Sequence, residues 1–114
     1  MTAENRPRSP ALRLDIANEW VWLGEQRLQL PPKAFAVLRY LIEHPSRLIS
    51  KTELLDAVWS DTVVSEWVLT TGMREIRQAL GEKAQEPQYI ETVHRRGYRF
   101  IGTVVSQEEV VGSQ

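Results

Sequence analysis

The hydrophobic pattern of this chain changes its period at Pro31-Pro32, and that change limits the folds that are possible. Before it, "LRLDI", "EWVWLG" and "QRLQL" alternate apolar with polar residues, as half-buried strands do. After it, "KAFAVLRYLIEH" repeats apolar residues at helical spacing. Proline is tolerated at the first position of a helix, because its missing N–H has no intrahelical partner there. We therefore predict an antiparallel meander of three or four short strands, followed by a helix.

Two further helices are predicted. His44-Pro45 ends the first helix, and "RLIS" forms a short extended link. In the capping box "SKTE", Ser50 accepts a hydrogen bond from the N–H of Glu53, and the Glu53 side chain reaches back. After the connection "SDTVV", the third helix begins with Ser65 as N-cap and ends near Gly81.

The final segment is predicted to be a hairpin. "QYIETV" and "GYRFIGTV" flank a turn at His94–Gly97. The fold class is therefore α+β: an N-terminal antiparallel β-sheet, a three-helix core and a C-terminal β-hairpin, which is a helix-turn-helix followed by a wing. We expect this domain to span residues 12–104, between a disordered N-terminal tail, 1–11, and a C-terminal tail or linker, 105–114.

Composition excludes several classes of function. The 114 residues include no cysteine, no apolar run near the roughly 20 residues of a membrane span and no signal peptide, so we expect a cytoplasmic domain. No glycine-rich phosphate loop, nucleophile–base pair or metal-ligand cluster is recognisable. We expect no enzyme activity, no cofactor and no small-molecule substrate. The net charge of -1 argues mildly against nucleic acid, although binding depends on the local field.

The third helix has a definable core side and outer side. The core stripe is predicted to contain Leu69, Met73, Ile76 and Leu80. The opposite face carries residues suited to base edges or phosphates, flanked by Thr70 and Arg77 on one side and Glu75 on the other: Trp67, Thr71, Arg74 and Gln78. Such a face is typical of a recognition helix in a DNA major groove. The alternative is an ordinary solvated helix face.

Two residues of this helix need a separate explanation. Trp67 points outward, and an exposed tryptophan is costly unless something covers it. It either folds onto the loop after the first strand or onto the hairpin, or it contacts DNA or protein. Gly72 weakens a helix interior by roughly 1 kcal/mol relative to alanine. Close approach of another backbone is its simplest explanation.

The hairpin tip concentrates positive charge in His94, Arg95 and Arg96. A tip beside the third helix can reach the adjacent minor groove, whose negative potential is enhanced where the groove is narrow. The alternative is a hairpin whose charges are solvated.

"SKTELLDAVW", "IRQAL" and "YIETVHRRGYRFIG" together resemble a known family, the C-terminal effector domain of OmpR/PhoB-type response regulators. The same winged helix occurs at the N-terminus of one-component regulators of the CadC/ToxR type. The resemblance runs from about Leu12 to Val104. It implies a four-stranded N-terminal sheet, a recognition helix and a loop, Ser60–Val64, that contacts RNA polymerase or a partner. No phosphorylatable receiver domain is recognisable in this chain.

The resemblance also implies roles for individual residues. Trp59 matches a residue that supports a phosphate contact, and Tyr98 matches one that packs near the wing or contacts phosphate. The remaining matches are recognition-helix and wing-tip positions: Thr70, Thr71, Arg74, Arg77, Gln78, His94, Arg95 and Arg96. The chain departs from the family where it has Trp67 and Glu75, since basic residues are frequent there.

These observations predict a sequence-specific, double-stranded DNA-binding module of a bacterial transcriptional regulator. Backbone contacts supply most of the affinity, and Thr71, Arg74 and Gln78 read bases. Because few basic residues lie on the face, we expect useful affinity to need a homodimer or tandem binding on DNA. The alternative is a degenerate winged helix that serves as a protein–protein interaction module, which Trp67, Glu75 and the acidic pI of about 6.1 favour.

Overall fold

The computed structural model describes residues 10–105 as two small sheets and three helices. The helices are α1 (Pro32–Glu43), α2 (Lys51–Val58) and α3 (Glu66–Leu80). The strands are β1 (Leu12–Asp15), β2 (Trp20–Leu23), β3 (Gln26–Gln29), β4 (Ile49–Ser50), β5 (Ile90–Val93), β6 (Gly97–Phe100) and β7 (Val104–Val105). This is the predicted α+β order of sheet, three helices and hairpin. Most of both predicted tails, residues 1–9 and 106–114, lies outside the described residues.

The first sheet has the strand order β3-β2-β1-β7. Strands β1, β2 and β3 form the predicted antiparallel meander, and the fourth strand is β7, which runs parallel to β1. Leu12, Leu14 and Val21 point into the core and are almost fully buried. The ends of the described chain therefore meet in one sheet: Val105 pairs with Arg13. The predicted domain boundaries stay predictions.

The second sheet, of order β4-β6-β5, contains a strand that the sequence did not indicate. Residues of "RLIS", predicted to be only an extended link, form β4, in which Ile49 lies opposite Tyr98 and Ser50 opposite Gly97. Two residues are too few to show an alternating pattern. The pairing ties the hairpin of β5 and β6 directly to the start of α2.

The helix caps agree with the sequence at three places and differ at two, Glu53 and Ser65. Ser65 is the N-cap residue of α3 as predicted, but its side chain makes no cap hydrogen bond within residues 10–105. Proline occupies the start of α1, Gly81 ends α3 in the left-handed conformation, and Ser50 accepts the N–H of Glu53 at 3.0 Å. The Glu53 carboxylate does not reach back to Ser50 as predicted. Instead it accepts the Tyr40 hydroxyl at 2.5 Å and the Arg47 guanidinium at 2.6 Å, and these bonds lower the pKa of Glu53.

The core lies between the first sheet and the helices. α1 contacts both α2 and α3, and it contributes side chains such as Phe35, Leu38 and Leu41 that are at most 3% exposed. The predicted stripe of α3 is confirmed, because Leu69, Met73, Ile76 and Leu80 are all buried. None of the helices between residues 10 and 105 is long and apolar enough to cross a membrane.

Gly72 of α3 is buried, but the predicted reason for a glycine there is wrong. A Cβ atom added at this position meets no other atom within 4 Å, apart from the backbone of its own helix. No neighbouring backbone approaches closely enough to require glycine.

We therefore expect Gly72→Ala to raise the free energy of unfolding by about 0.5–1 kcal/mol, because alanine loses less backbone entropy in a helix. Urea denaturation followed by tryptophan fluorescence measures the change. A lower midpoint than wild type would contradict the open space beside Gly72.

Candidate nucleic-acid interface

One side of α3 is open to solvent, and its composition is polar with a single aromatic residue. Trp67, Thr70, Arg74 and Gln78 are exposed on it. Most of the other residues of the helix are buried or half-buried, because α1, α2 and β3 all contact α3. This exposed face contains four of the predicted DNA-binding residues.

Thr71 differs from the prediction that it points outward. It is half-buried, and its hydroxyl oxygen has no solvent exposure and no hydrogen-bond partner within residues 10–105. Glu75, on the same side of the helix, is also half-buried. The packed arc of α3 is thus wider than a four-residue stripe suggests, since three elements contact the helix. A contact between Thr71 and DNA stays a prediction, and it requires the hydroxyl to turn outward.

Arg77 leaves the helix toward the hairpin rather than toward solvent. One of its terminal nitrogens donates to the carbonyl of Ile90 at 2.9 Å and to the hydroxyl of Thr92 at 2.7 Å. Its side chain is 13% exposed, and its Nε lies 3.5 Å from a Glu82 carboxylate oxygen. Arg77 therefore joins α3 to β5. Its predicted contact with DNA stays a prediction. The guanidinium group is already hydrogen-bonded to two acceptors within the protein.

Glu82, which no pattern in the sequence indicates, holds the connection between α3 and β5. Its side chain is 0% exposed. The carboxylate accepts the backbone N–H groups of Gln88 at 2.8 Å, Tyr89 at 2.6 Å and Ile90 at 3.1 Å. A glutamate directly after the glycine cap of a helix is ordinarily solvated, so no local signal predicts this role. The carboxylate fixes where β5 begins relative to α3.

A groove of about 470 Å³ separates α3 from the hairpin. Arg74 and Gln78 lie along its helix side, and Thr92 and Tyr98 along its hairpin side. Tyr98 is 6% exposed, and burial raises the pKa of its phenol. The groove lies between the predicted helix residues and the predicted hairpin residue Tyr98. We use the name helix–wing surface for the exposed face of α3, this groove and the hairpin tip, residues 94–96, taken together.

The side chains of the hairpin tip are all exposed: His94, Arg95 and Arg96. The N–H of Arg96 donates to the carbonyl of Val93 at 2.9 Å, which closes a tight turn. Arg95 occupies this turn with φ of 66°, in the left-handed region. A non-glycine residue there costs roughly 1–2 kcal/mol. The tip therefore presents an arginine where backbone preference favours glycine or asparagine.

Three arginines of the helix–wing surface have no acidic partner. Within the described residues, Arg74, Arg95 and Arg96 form no ion pair. Two other exposed arginines do: Arg39 pairs with Glu43 at 2.9 Å, and Arg47 with Glu53 at 2.6 Å. The helix–wing surface thus keeps uncompensated positive charge although the whole chain has a net charge of -1.

The two tryptophans of the predicted site differ in their surroundings. Trp67 is 67% exposed, so of the two alternatives left open by the sequence, the one in which it folds onto the loop after the first strand or onto the hairpin is wrong. Trp59, at the C-cap of α2, is half-buried against the core, and the Lys33 ammonium lies 5.9 Å from its ring centroid.

In the predicted contact loop, Ser60–Val64, the side chain of Val63 is fully exposed.

The sequence matches the family model described as "Transcriptional regulatory protein, C terminal" over residues 24–100. The chain belongs to this family. It is an OmpR/PhoB-type winged-helix domain, and the resemblance predicted from the sequence is confirmed.

Individual members support this assignment. The transcriptional regulator HilA of Salmonella typhi is 43% identical over 82 residues, which are 72% of this chain but 15% of HilA. The DNA-binding domain of Escherichia coli CadC superposes with a TM-score of 0.69 at 26% identity, over 84% of this chain and 95% of that domain. The RstA DNA-binding domain of Klebsiella pneumoniae, solved in complex with the RstA box, gives 0.72 at 26% identity, over 85% and 97%. The chain thus spans a small part of HilA.

Proposed function

We propose that this OmpR/PhoB-type domain binds specific sequences in double-stranded DNA, with residues 65–80 in the major groove and the wing, 94–97, at the minor groove. The observation that carries the proposal is the set of three unpaired arginines on the helix–wing surface: Arg74, Arg95 and Arg96. A duplex supplies the missing negative charge on both sides of a groove. The RstA domain, of the same fold, was solved in complex with its DNA box.

In this proposal, different residues contact the DNA bases and the DNA phosphates. Arg74 and Gln78, exposed on α3, chelate guanine and adenine edges, and Thr70 contacts phosphate or a thymine methyl. Tyr98 and Trp59 support phosphate contacts beside the groove, and the exposed tip residues reach the minor groove.

The proposal also covers the protein partners of this domain and its location in the cell. With three unpaired arginines, one domain binds DNA weakly, so we expect a homodimer or tandem pair on adjacent half-sites. The exposed loop Ser60–Val64, with Val63 fully in solvent, is a candidate contact for RNA polymerase. Such a regulator acts in the bacterial cytoplasm.

A second candidate function is protein binding through α3. The exposure of Trp67, at 67%, favours it, because large exposed apolar side chains often mark protein interfaces. The two functions differ in their salt dependence: DNA binding weakens steeply with salt because counterions are released, whereas an apolar protein contact does not.

Selection from a random duplex pool at low salt, followed by affinity measurement from 50 to 200 mM salt, tests the proposed DNA binding. We expect an enriched sequence motif and an affinity that falls steeply with salt. Failure to enrich any sequence, together with no detectable binding at low salt, would contradict it and favour the protein-binding function.

The wing makes a separate prediction. Arg95→Ala combined with Arg96→Ala is expected to weaken binding to the selected duplex about 10- to 100-fold and to reduce the salt slope by about 1–2. Fluorescence anisotropy titrations at several salt concentrations measure both quantities.

The matched control is Arg13→Ala with Arg27→Ala, which removes the same charge from the first sheet. There, the two guanidinium groups stack on Trp22 at 5.1 Å and Trp20 at 4.1 Å, and neither arginine lines the groove between α3 and the hairpin. The wing assignment is wrong if both double variants lose affinity equally, since the effect is then one of net charge alone.

A further inference from the structure

Trp67 is the only large hydrophobic side chain of α3 that is exposed. It is 67% exposed, and among residues 10–105 the other large hydrophobic side chains of comparable exposure, Val63, Ile101 and Val105, lie on loops or at the last strand. The exposed residues that follow it on the same helix face are polar or charged: Thr70, Arg74 and Gln78. Trp67 is therefore the single apolar side chain among the exposed residues of this helix face, and a polar face with one arginine fits a nucleic acid better than it fits an apolar protein groove.

The place of Trp67 in the helix sets what it can reach. It is the second residue of α3, and first-turn residues of a recognition helix contact base edges in the major groove. Helical side chains also lean toward the N-terminus, so the indole covers the entry of the helix into the groove. Trp67 thus meets bases rather than the phosphates at the groove margin.

The chemistry of the base edges then limits which base Trp67 can select. An indole offers a broad apolar ring and one N–H donor, and it has no acceptor for the amino groups of cytosine or adenine. The only apolar group that a base pair presents in the major groove is the C5-methyl group of thymine. From this complementarity we infer that Trp67 is a specificity-determining residue that selects thymine by contact with its methyl group. This inference rests on the proposed DNA binding.

The helix geometry also gives the thymine an approximate position. Arg74 lies seven residues after Trp67 on the same face, which is about 10 Å along a helix that rises about 1.5 Å per residue. Base pairs are spaced about 3.4 Å apart along the duplex. The selected thymine should therefore lie about three base pairs from the base read by Arg74.

Removing single methyl groups from the DNA tests the inference. Starting from the duplex that wild type selects, each thymine in turn is replaced by uracil, which keeps the pairing and lacks the methyl group. We expect one or two positions at which the replacement weakens wild-type binding about fourfold, the effect of withdrawing one methyl group from an apolar contact. At those positions Trp67→Ala is expected to bind the thymine and uracil duplexes equally.

Two variants serve as controls. Trp67→Phe keeps an aromatic surface and should keep sensitivity to uracil, as should Val63→Ala, which removes an equally exposed apolar side chain from the loop before α3. Because Trp67 is exposed, its alanine variant should melt within about 2 °C of wild type, as surface substitutions commonly do.

The outcomes distinguish a failure of thymine selection by Trp67 from a failure of the proposed DNA binding. A selected duplex that tolerates uracil at every position, or a uracil effect that persists in Trp67→Ala, overturns thymine selection and leaves DNA binding intact. Thymine selection is also overturned if Trp67→Ala binds every duplex as wild type does, and Trp67 is then a protein contact. If wild type selects no duplex, both the inference and the proposed function fail.

Discussion

Gly97→Ala is expected to lower the free energy of unfolding by about 3 kcal/mol or more, with a fall in melting temperature of over about 12 °C for a domain of this size. Gly97 begins β6 with φ of 146°, a conformation that essentially only glycine adopts. A Cβ atom there would lie 2.0 Å from the carbonyl oxygen of Ile49 and 2.9 Å from Cα of Ser50. These atoms belong to β4, so alanine must break the pairing of β4 with β6.

A second glycine of this chain provides the control. Gly81 also has a positive φ, 73°, but a Cβ added there meets no atom within 4 Å. Gly81→Ala should therefore show only the backbone strain, about 1 kcal/mol. Thermal and guanidinium denaturation of both variants compares the two effects. Equal losses would show that the close approach of β4 to Gly97 contributes nothing.

Glu82→Gln is expected to lower the free energy of unfolding by about 2–4 kcal/mol, and Glu82→Ala by about 3–5 kcal/mol. The carboxylate accepts three backbone N–H groups, and it is the acidic group nearest to the Arg77 guanidinium, at 3.5 Å. Glutamine keeps the shape but places an NH₂ donor against one of these donors. It also leaves a nearly buried arginine without a counter-charge. Chemical denaturation measures the loss.

Glu43→Gln is the matched control for charge removal. Glu43 pairs with Arg39 on the exposed side of α1, and such a surface pair contributes about 0.5 kcal/mol or less. In the Glu82 variants, hydrogen exchange should accelerate first at the amides of residues 88–90. If Glu82→Gln is no more harmful than Glu43→Gln, the buried carboxylate does not stabilise the connection between α3 and β5.

Both substitutions act on the placement of the hairpin relative to α3. Gly97 lets β6 approach β4, and Glu82 with Arg77 holds β5 against α3. The arginines that we assign to DNA lie on either side of these connections. In the proposed complex, α3 and the hairpin tip contact adjacent grooves, and their separation must be fixed because hydrogen bonds weaken steeply away from their preferred distance and angle.

The elements with a long, regular pattern were predictable from the sequence. The meander, α1, the stripe of α3 and the cap residues Ser50 and Gly81 follow from periodicity and local backbone chemistry, which act between residues close in the chain. The solvent exposure of Arg74, Gln78 and the hairpin tip follows for the same reason, since each lies opposite an identified core face or in a turn.

Contacts between residues distant in the chain were decided by the tertiary structure. The pairing of β7 with β1 and of β4 with β6 joins segments too short to show a period. The burial of the Thr71 hydroxyl depends on how three elements pack on α3, and the roles of Arg77 and Glu82 depend on where β5 returns. Local sequence determined the elements and the centre of each buried face, because helix and strand geometry is local. Only the assembled fold decided which charged groups stay unpaired, because ion pairs form between whichever side chains packing brings together.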